Sequence, residues 1–560
     1  MTESGSAGAC PFGGAAAGGR SAPLPGFRHI FGEPVPAERF QVDGEDPRHS
    51  PAALATLRRR LRGLATLMGA RPADAAENPN LPSGYTYLLQ FAAHDMVSTS
   101  MAFWAAGGGP ADMAAPGIAN TLGAPLRLRT LYGGGPGACP FAFVPDDARD
   151  QSRSRFRLSA YAGAPDTPAS FRDIGRAATP GTLGNRGGFA GAGRGEALIA
   201  DSRNDQTVLL SQVTGLFQML HNAILGMIPA PTTLPARALR EATAARFAVA
   251  QEATILVFRS VLRGDLLPRL LDPEVRALYD NPAPELLEPG AGPGMPLEAS
   301  HGAFRFAHAM LRDRYQIGGF EDATLVDVLR LNSSRSPNSV PLSRDWVLRW
   351  SQFFSLPGRP APNFSMRLGP RYTAMLLGDG LFDPIEAGDP AGVAFRDLMS
   401  ASLSGMRSVA SLCERVARAR PVLAARSPLL ADAAARRAAL ADWLAHDADL
   451  SLLAPEDVAA LAADPPLPFY ILFEAEREAA GERLGTLGSV LVAETAYGAL
   501  TRERLASEGE GGLAAALDRL CAAWLGDFRL PDPPLVQDMP GLVEFVARRL
   551  DLTAAQPAFL

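Results

Sequence analysis

Three short stretches hold the residue types that could move protons or steady developing charge. In Gly84-Tyr85-Thr86-Tyr87-Leu88-Leu89-Gln90-Phe91-Ala92-Ala93-His94-Asp95, an apolar run carries Gln90 and His94 four residues apart. On a helix that spacing stacks both side chains on one face, so an amide and an imidazole would line the same space. An imidazole titrates near neutrality and suits general acid–base work. Taken alone, however, His94 reads more readily as a satisfied core histidine. In Ala200-Asp201-Ser202-Arg203-Asn204-Asp205-Gln206, Arg203 stands in a polar turn just before a helix marked by Leu209, Val213, Leu216 and Leu220. An oriented cationic donor and an ordinary salt-bridge partner are equally good readings of Arg203 there. In Ala303-Phe304-Arg305-Phe306-Ala307-His308-Ala309-Met310-Leu311-Arg312, the residues Arg305, His308 and Arg312 are three and four apart, and on a helix they would share a face.

The elements that must position these residues read as helices. Leu54, Leu57, Leu61 and Leu64, interleaved with four arginines, predict an amphipathic surface helix over Pro51–Met68. The first chemical stretch predicts a helix from Gly84 to about Ala105, and a long helix is expected from about Pro235 to Leu262. His221 and Asn222 lie on the core helix after Arg203 and read as structural. Residues 341–400 alternate turns with short helical pieces, and the chain after Pro390 is helical almost throughout. Strand-like alternation is scarce and no internal repeat is present, so the expected fold class is all-α. Gly and Pro are too frequent before about residue 45 for a packed element, which predicts a flexible arm over 1–45 and one large catalytic domain over 46–560.

Composition narrows the function classes. The 560 residues carry a formal net charge of -6 without Lys/Arg blocks, which gives no electrostatic reason to expect nucleic acid as a partner. Cys10, Cys139, Cys413 and Cys521 lie far apart and form no CxxC pair, so neither a structural zinc site nor a disulfide framework is expected. Gly133-Gly134-Gly135 has neither the following Lys-Ser/Thr nor the strand–loop–helix frame of a phosphate loop. The N-terminus lacks a basic region followed by an apolar core, and no run of about 18 apolar residues suggests a membrane span. A cytoplasmic, reduced protein is the expectation.

At these residues the chain resembles the animal-type haem peroxidase family of the peroxidase–cyclooxygenase superfamily, most closely its bacterial branch. GYTYLLQFAAHD resembles the distal-histidine segment, TLYGGGP a connecting loop, ALIADSRNDQT the distal-arginine segment and GAFRFAHAMLR the proximal-histidine segment. PFYILFEAEREAAGERLGTLGSVLVAE resembles the C-terminal segment. Together these ordered motifs cover roughly residues 80 to 500. The resemblance implies a large, mostly helical peroxidase fold with long loops. It also implies His94 as the distal histidine, Gln90 as its pocket neighbour, Arg203 as the distal arginine, His308 as the iron ligand and Arg305 as partner to a haem propionate. The implied reaction uses hydrogen peroxide to form a ferryl oxidant that a small-molecule reducing substrate then discharges.

Four departures from the family pattern bear on that expectation. The two carboxylates that esterify haem in covalent members are replaced by Ala93 and Gln206, which implies a non-covalent haem b. The asparagine that supports the proximal histidine is replaced by Asp397, on a looser match that also reads as a surface Asp near a helix start. Met399-Ser400-Ala401-Ser402 stands where relatives carry arginines. The calcium loop has no clear counterpart. Asp95 stands where a calcium ligand would be, but equally reads as a hydrogen-bond partner, so calcium is not favoured. The tyrosine that carries the substrate radical in fatty-acid oxygenases of the family is replaced by Arg305. A peroxidase acting on a small organic donor, with specialised metabolism as its suggested setting, is thus the first expectation. A haem oxygenase for a fatty acid or other apolar substrate is the second, and a non-catalytic haem protein the third.

Overall fold

Ser50 opens the first long helix, α1 (Pro51–Met68): its hydroxyl accepts from Ala53 N, and Pro51 occupies the first turn. Leu57, Leu61 and Leu64 enter the core as the periodicity predicts. The arginine face is not left to solvent. Arg58 and Arg62 reach Asp389, and Arg59 and Arg60 converge on the buried Asp457. The computed structural model describes residues 26–69, 71–98, 120–123, 125–146, 152–165, 167–178, 195–230, 234–281, 283–336, 339–376, 382–446, 452–552 and 557–560.

The next helix, α2 (Gly84–His94), is apolar on almost every side, so it lies inside the protein rather than on it. It stops at His94, short of the expected Ala105; residues 99–119 lie outside the described part. Helix α3 (Val208–Met227) begins at Thr207, whose hydroxyl accepts from Leu210 N. Helix α4 (Ala236–Val261) packs along α3. Phe91 joins the three, stacked on Phe217 with centroids 5.1 Å apart and edge-on to Phe258 at 5.9 Å. Among the described residues α3 is the one single helix long and apolar enough to cross a membrane, and its whole apolar window is buried, as in a core helix.

The proximal stretch departs from a regular helix. A π-helical turn, Glu298–Gly302, runs into a 3₁₀ segment, Ala303–Met310. With three residues per turn, Arg305 and His308 are aligned on one edge. Arg312 falls beyond the segment and leaves their face, pairing instead with Glu77 at 2.7 Å. Helices α5 (Val393–Leu403) and α6 (Leu467–Ala479) pack around this turn, and α7 (Thr486–Arg502) packs on α6. Close approach at Gly302 is required: a Cβ there would lie 2.4 Å from Leu467 Cδ2. The C-terminal motif builds the α6–α7 corner, where the buried Glu474 accepts from the N–H groups of Leu487 and Gly488 at the start of α7.

Strands occur only as six two-stranded ribbons among the described residues, and the protein is mostly helical. One ribbon corrects the expected arm. Phe27–Arg28 pairs in parallel with Met295–Pro296, and Phe27, Ile30, Phe40 and Val42 are buried. The segment from residue 26 to 45 is therefore packed; residues 1–25 lie outside the described part. His221 is structural as expected, with Nδ1 3.0 Å from the Tyr132 hydroxyl and Nε2 2.7 Å from the Ser154 carbonyl.

Candidate active site

On α2 the positions Gln90, Ala93, His94 and, just past its end, Val97 stay partly open, while Leu88, Leu89, Phe91 and Ala92 are buried. Those four open positions follow helical spacing, so α2 turns one face towards accessible space within an otherwise packed region. His94 Nδ1 lies 3.0 Å from Asn204 Oδ1. Burial first, and the neighbouring Arg203 guanidinium second, lower the pKa of His94 to about 4. The ring is therefore neutral at pH 7.

Arg203 sits in a 3₁₀ turn, Ser202–Asp205, that packs against the end of α2. Its guanidinium is largely committed. Nε and Nη2 bind the Asp201 carboxylate at 3.0 and 2.6 Å, Nη2 also donates to the His94 carbonyl at 2.9 Å, and Nη1 donates to the Val97 carbonyl at 2.5 Å. Of five N–H groups, one on Nη1 has no acceptor among the described residues. Both sequence readings of Arg203 are thus present in one residue, because the salt-bridge partner Asp201 shares it with the end of the histidine helix.

On the other side, His308 Nδ1 is 2.6 Å from Asp397 Oδ2, and Arg305 Nη1 is 3.6 Å from Asp397 Oδ1. Asp397 is 3% exposed and lies within α5, so it is not a surface residue near a helix start. The side chains of His308 and Arg305 are 31% and 33% exposed although the elements around them are buried, which marks a second partly open face. The turn that bears them packs against α2. Tyr372, fully buried, sets its ring edge-on to His308 with centroids 6.3 Å apart.

The other sequence-selected positions fall as follows. Ala93 and Gln206 supply no carboxylate, and the adjacent Asp205 is held by Arg176 at 2.8 and 2.9 Å. Asp95 is fully buried and accepts from Leu128 N at 2.7 Å, Thr130 N at 3.0 Å and the Thr130 hydroxyl at 3.2 Å. Burial raises its pKa to about 6. A carboxylate already meeting N–H donors serves as a hydrogen-bond anchor; the donor set around it does not suit calcium, which takes oxygen ligands. Ser400 and Ser402 are buried in α5. Sequence reasoning missed Asn204, Asp201 and Tyr372. Asn204 and Asp201 were visible as polar neighbours of Arg203, while nothing in the sequence brings Tyr372 to His308.

The residues present fit a haem. With Nδ1 engaged by Asp397, His308 has Nε2 left that would serve as an iron ligand. Arg305 has a buried Nε with no hydrogen-bond partner, beside the partly open face, which suits a propionate. Gln90 and His94 line the accessible face of α2.

The chain has the fold of the peroxidase–cyclooxygenase superfamily. No family model matches the sequence, and no curated protein matches it. The structure is similar to that of peroxidase A from Dictyostelium discoideum, with a TM-score of 0.51 and 12% identity over 94% of each chain. It is similar also to the fatty acid alpha-dioxygenase of Arabidopsis thaliana, with a TM-score of 0.51 and 12% identity over 91% of this chain and 83% of that one. Both neighbours are eukaryotic, so the likeness to the bacterial branch rests on the sequence motifs.

Proposed function

We propose that the protein is a haem-dependent peroxidase that uses hydrogen peroxide to oxidise a small organic donor. The haem is b-type and non-covalent, since neither Ala93 nor Gln206 can form an ester and the nearby Asp201 and Asp205 are held by arginines. The observation that carries the reading is the pair of oriented imidazoles, His308 on Asp397 and His94 on Asn204, on two elements packed against each other. Bound haem supplies an iron whose open position takes peroxide. Asp397 accepts the Nδ1 proton of His308, fixes its tautomer and raises its basicity as a ligand. His94, neutral at pH 7, takes a proton from peroxide and returns it to the leaving oxygen. Arg203 offers its remaining Nη1 N–H to the developing charge, with its field partly neutralised by Asp201.

The committed state of Arg203 favours a second reading. With its charge shared by Asp201, O–O cleavage of hydrogen peroxide receives less electrostatic help, and the similar Arabidopsis structure is a fatty acid alpha-dioxygenase. The second reading is oxygenation of a fatty acid with O2.

One experiment separates the two. Haem-loaded protein is mixed rapidly with one equivalent of hydrogen peroxide and followed in the Soret region, and O2 uptake is recorded with a fatty acid alone. A Soret change that reverses on adding a phenolic donor, slowed by about 10²-fold or more in His94→Ala, supports the peroxidase. O2 uptake without added peroxide, with no Soret response to peroxide, overturns it in favour of the oxygenase.

A further inference from the structure

We propose that Asn204 is a positioning residue that sets the tautomer of His94 and so decides which imidazole nitrogen accepts the peroxide proton. This deepens the peroxidase reading and rests on it. Asn204 is fully buried in the turn Ser202–Asp205, and its Oδ1 stands 3.0 Å from His94 Nδ1. A carboxamide has an accepting end and a donating end. With Oδ1 against the ring, His94 carries its proton on Nδ1 and keeps a lone pair on Nε2. Turned over, the amide would donate to Nδ1, the ring proton would move to Nε2, and that nitrogen could no longer take a proton.

The turn is built to hold this contact. Asn204 N donates to the Asp201 carbonyl at 3.0 Å, Arg203 grips the His94 and Val97 carbonyls, and Asp205 is anchored by Arg176. Three consecutive residues therefore fix the end of α2, its histidine ring and the turn itself. Among the described residues the buried Asn204 Nδ2 has no hydrogen-bond partner, and the amide side chain bonds to His94. A buried amide that leaves a donor unpaired is unfavourable, and a residue kept for packing alone would avoid it. The charged groups acting on the ring are Arg203 and Asp201, and neither contacts Nδ1, so the tautomer falls to Asn204.

The test uses imidazole 15N shifts of haem-free, histidine-labelled protein at pH 7, with the His94 signals identified by their loss in His94→Gln. Wild type should show Nδ1 protonated and Nε2 unprotonated, and Asn204→Leu should shift His94 to a mixture or to the Nε2–H form. In the haem-loaded protein, Asn204→Leu should slow the peroxide step by roughly 10- to 100-fold. Asn204→Asp should retain the tautomer and move the acid limb of the rate profile to higher pH, because a carboxylate favours the imidazolium. An Nε2–H tautomer in wild type, or an unchanged Nδ1–H tautomer in Asn204→Leu, overturns the proposal. A fall in melting temperature without tautomer change would assign Asn204 to packing. Were wild type inert to peroxide while the tautomer moved as expected, the peroxidase reading would fall and the positioning role would stand.

Discussion

A histidine can bind iron through either ring nitrogen, and the carboxylate of Asp397 at 2.6 Å from Nδ1 removes that choice for His308. A hydrogen-bond partner that orients a metal-binding histidine contributes roughly 10- to 100-fold to metal affinity. Asp397→Leu should therefore raise the haem dissociation constant by about that factor, measured by Soret titration, whereas Asp397→Asn, whose Oδ1 still accepts a hydrogen bond from Nδ1–H, should lose less. Equal loss in both would mean that negative charge rather than orientation is what counts. Arg172 is the contrasting case. Arg172 is 3% exposed, its three guanidinium nitrogens have no hydrogen-bond partner among the described residues, and its guanidinium carbon lies 4.9 Å from the Phe559 ring centroid. Burial lowers its pKa to about 10, so it remains charged at pH 7. Replacing buried charge by a well-packed apolar side chain is often neutral or stabilising by about 1–4 kcal/mol. Arg172→Met should leave the melting temperature unchanged or raise it; a clear fall would reveal a partner that Arg172 meets in the functional protein.

At the scale of elements, the helices were legible where apolar residues recur at helical spacing, and the chemistry was legible where residue type and order are distinctive. Helices α1 and α4 match their expected spans closely, and α3 carries the four apolar residues that marked it, because long periodic segments carry a strong signal. The proximal segment was misread in form. Spacings of three and four residues suit an α-helix, whereas the segment takes π and 3₁₀ geometry and packs against α5 and α6, contacts that no local pattern announces. Arg312 was placed on the face of His308 for that reason, and Asp201 was not foreseen as the partner that takes most of the donors of Arg203. The seating of α2 has a sharper origin. Gly84 N donates to the Phe353 carbonyl at 2.9 Å, and a Cβ at Gly84 would lie 2.5 Å from that same oxygen. A backbone oxygen cannot swing aside as a side chain can, so Gly84→Ala should destabilise by about 1–3 kcal/mol in denaturant unfolding. Because α2 carries Gln90 and His94, the same variant should slow the peroxide reaction; full activity with full stability would show that α2 is not seated by this contact.

For the whole molecule, the acid stability is set by groups whose pKa folding moves in opposite directions. Burial holds His94 and His221 at about 4 and His301 well below its ordinary value. An unfolded histidine titrates near 6.5. Between pH 6.5 and 4 the unfolded chain takes up protons that the folded chain refuses, so each of these rings makes stability fall as pH falls through that window. Asp95 acts oppositely. Burial raises its carboxyl to about 6, so between pH 6 and the ordinary carboxylate range the folded chain binds the proton first and gains stability as pH falls. His221 is the cleanest probe, being fully buried and hydrogen-bonded to Tyr132 and Ser154. In haem-free protein, His221→Gln should be less stable than wild type at pH 7 through disturbed hydrogen bonds. That deficit should shrink by roughly 3 kcal/mol, about 1.4 kcal/mol per pH unit, on acidification to pH 4. Urea unfolding at half-unit pH steps measures it. A deficit that stays constant from pH 7 to 4 would show that the folded protein protonates His221 as readily as the unfolded chain does, and that the Tyr132–His221–Ser154 contact opens in acid.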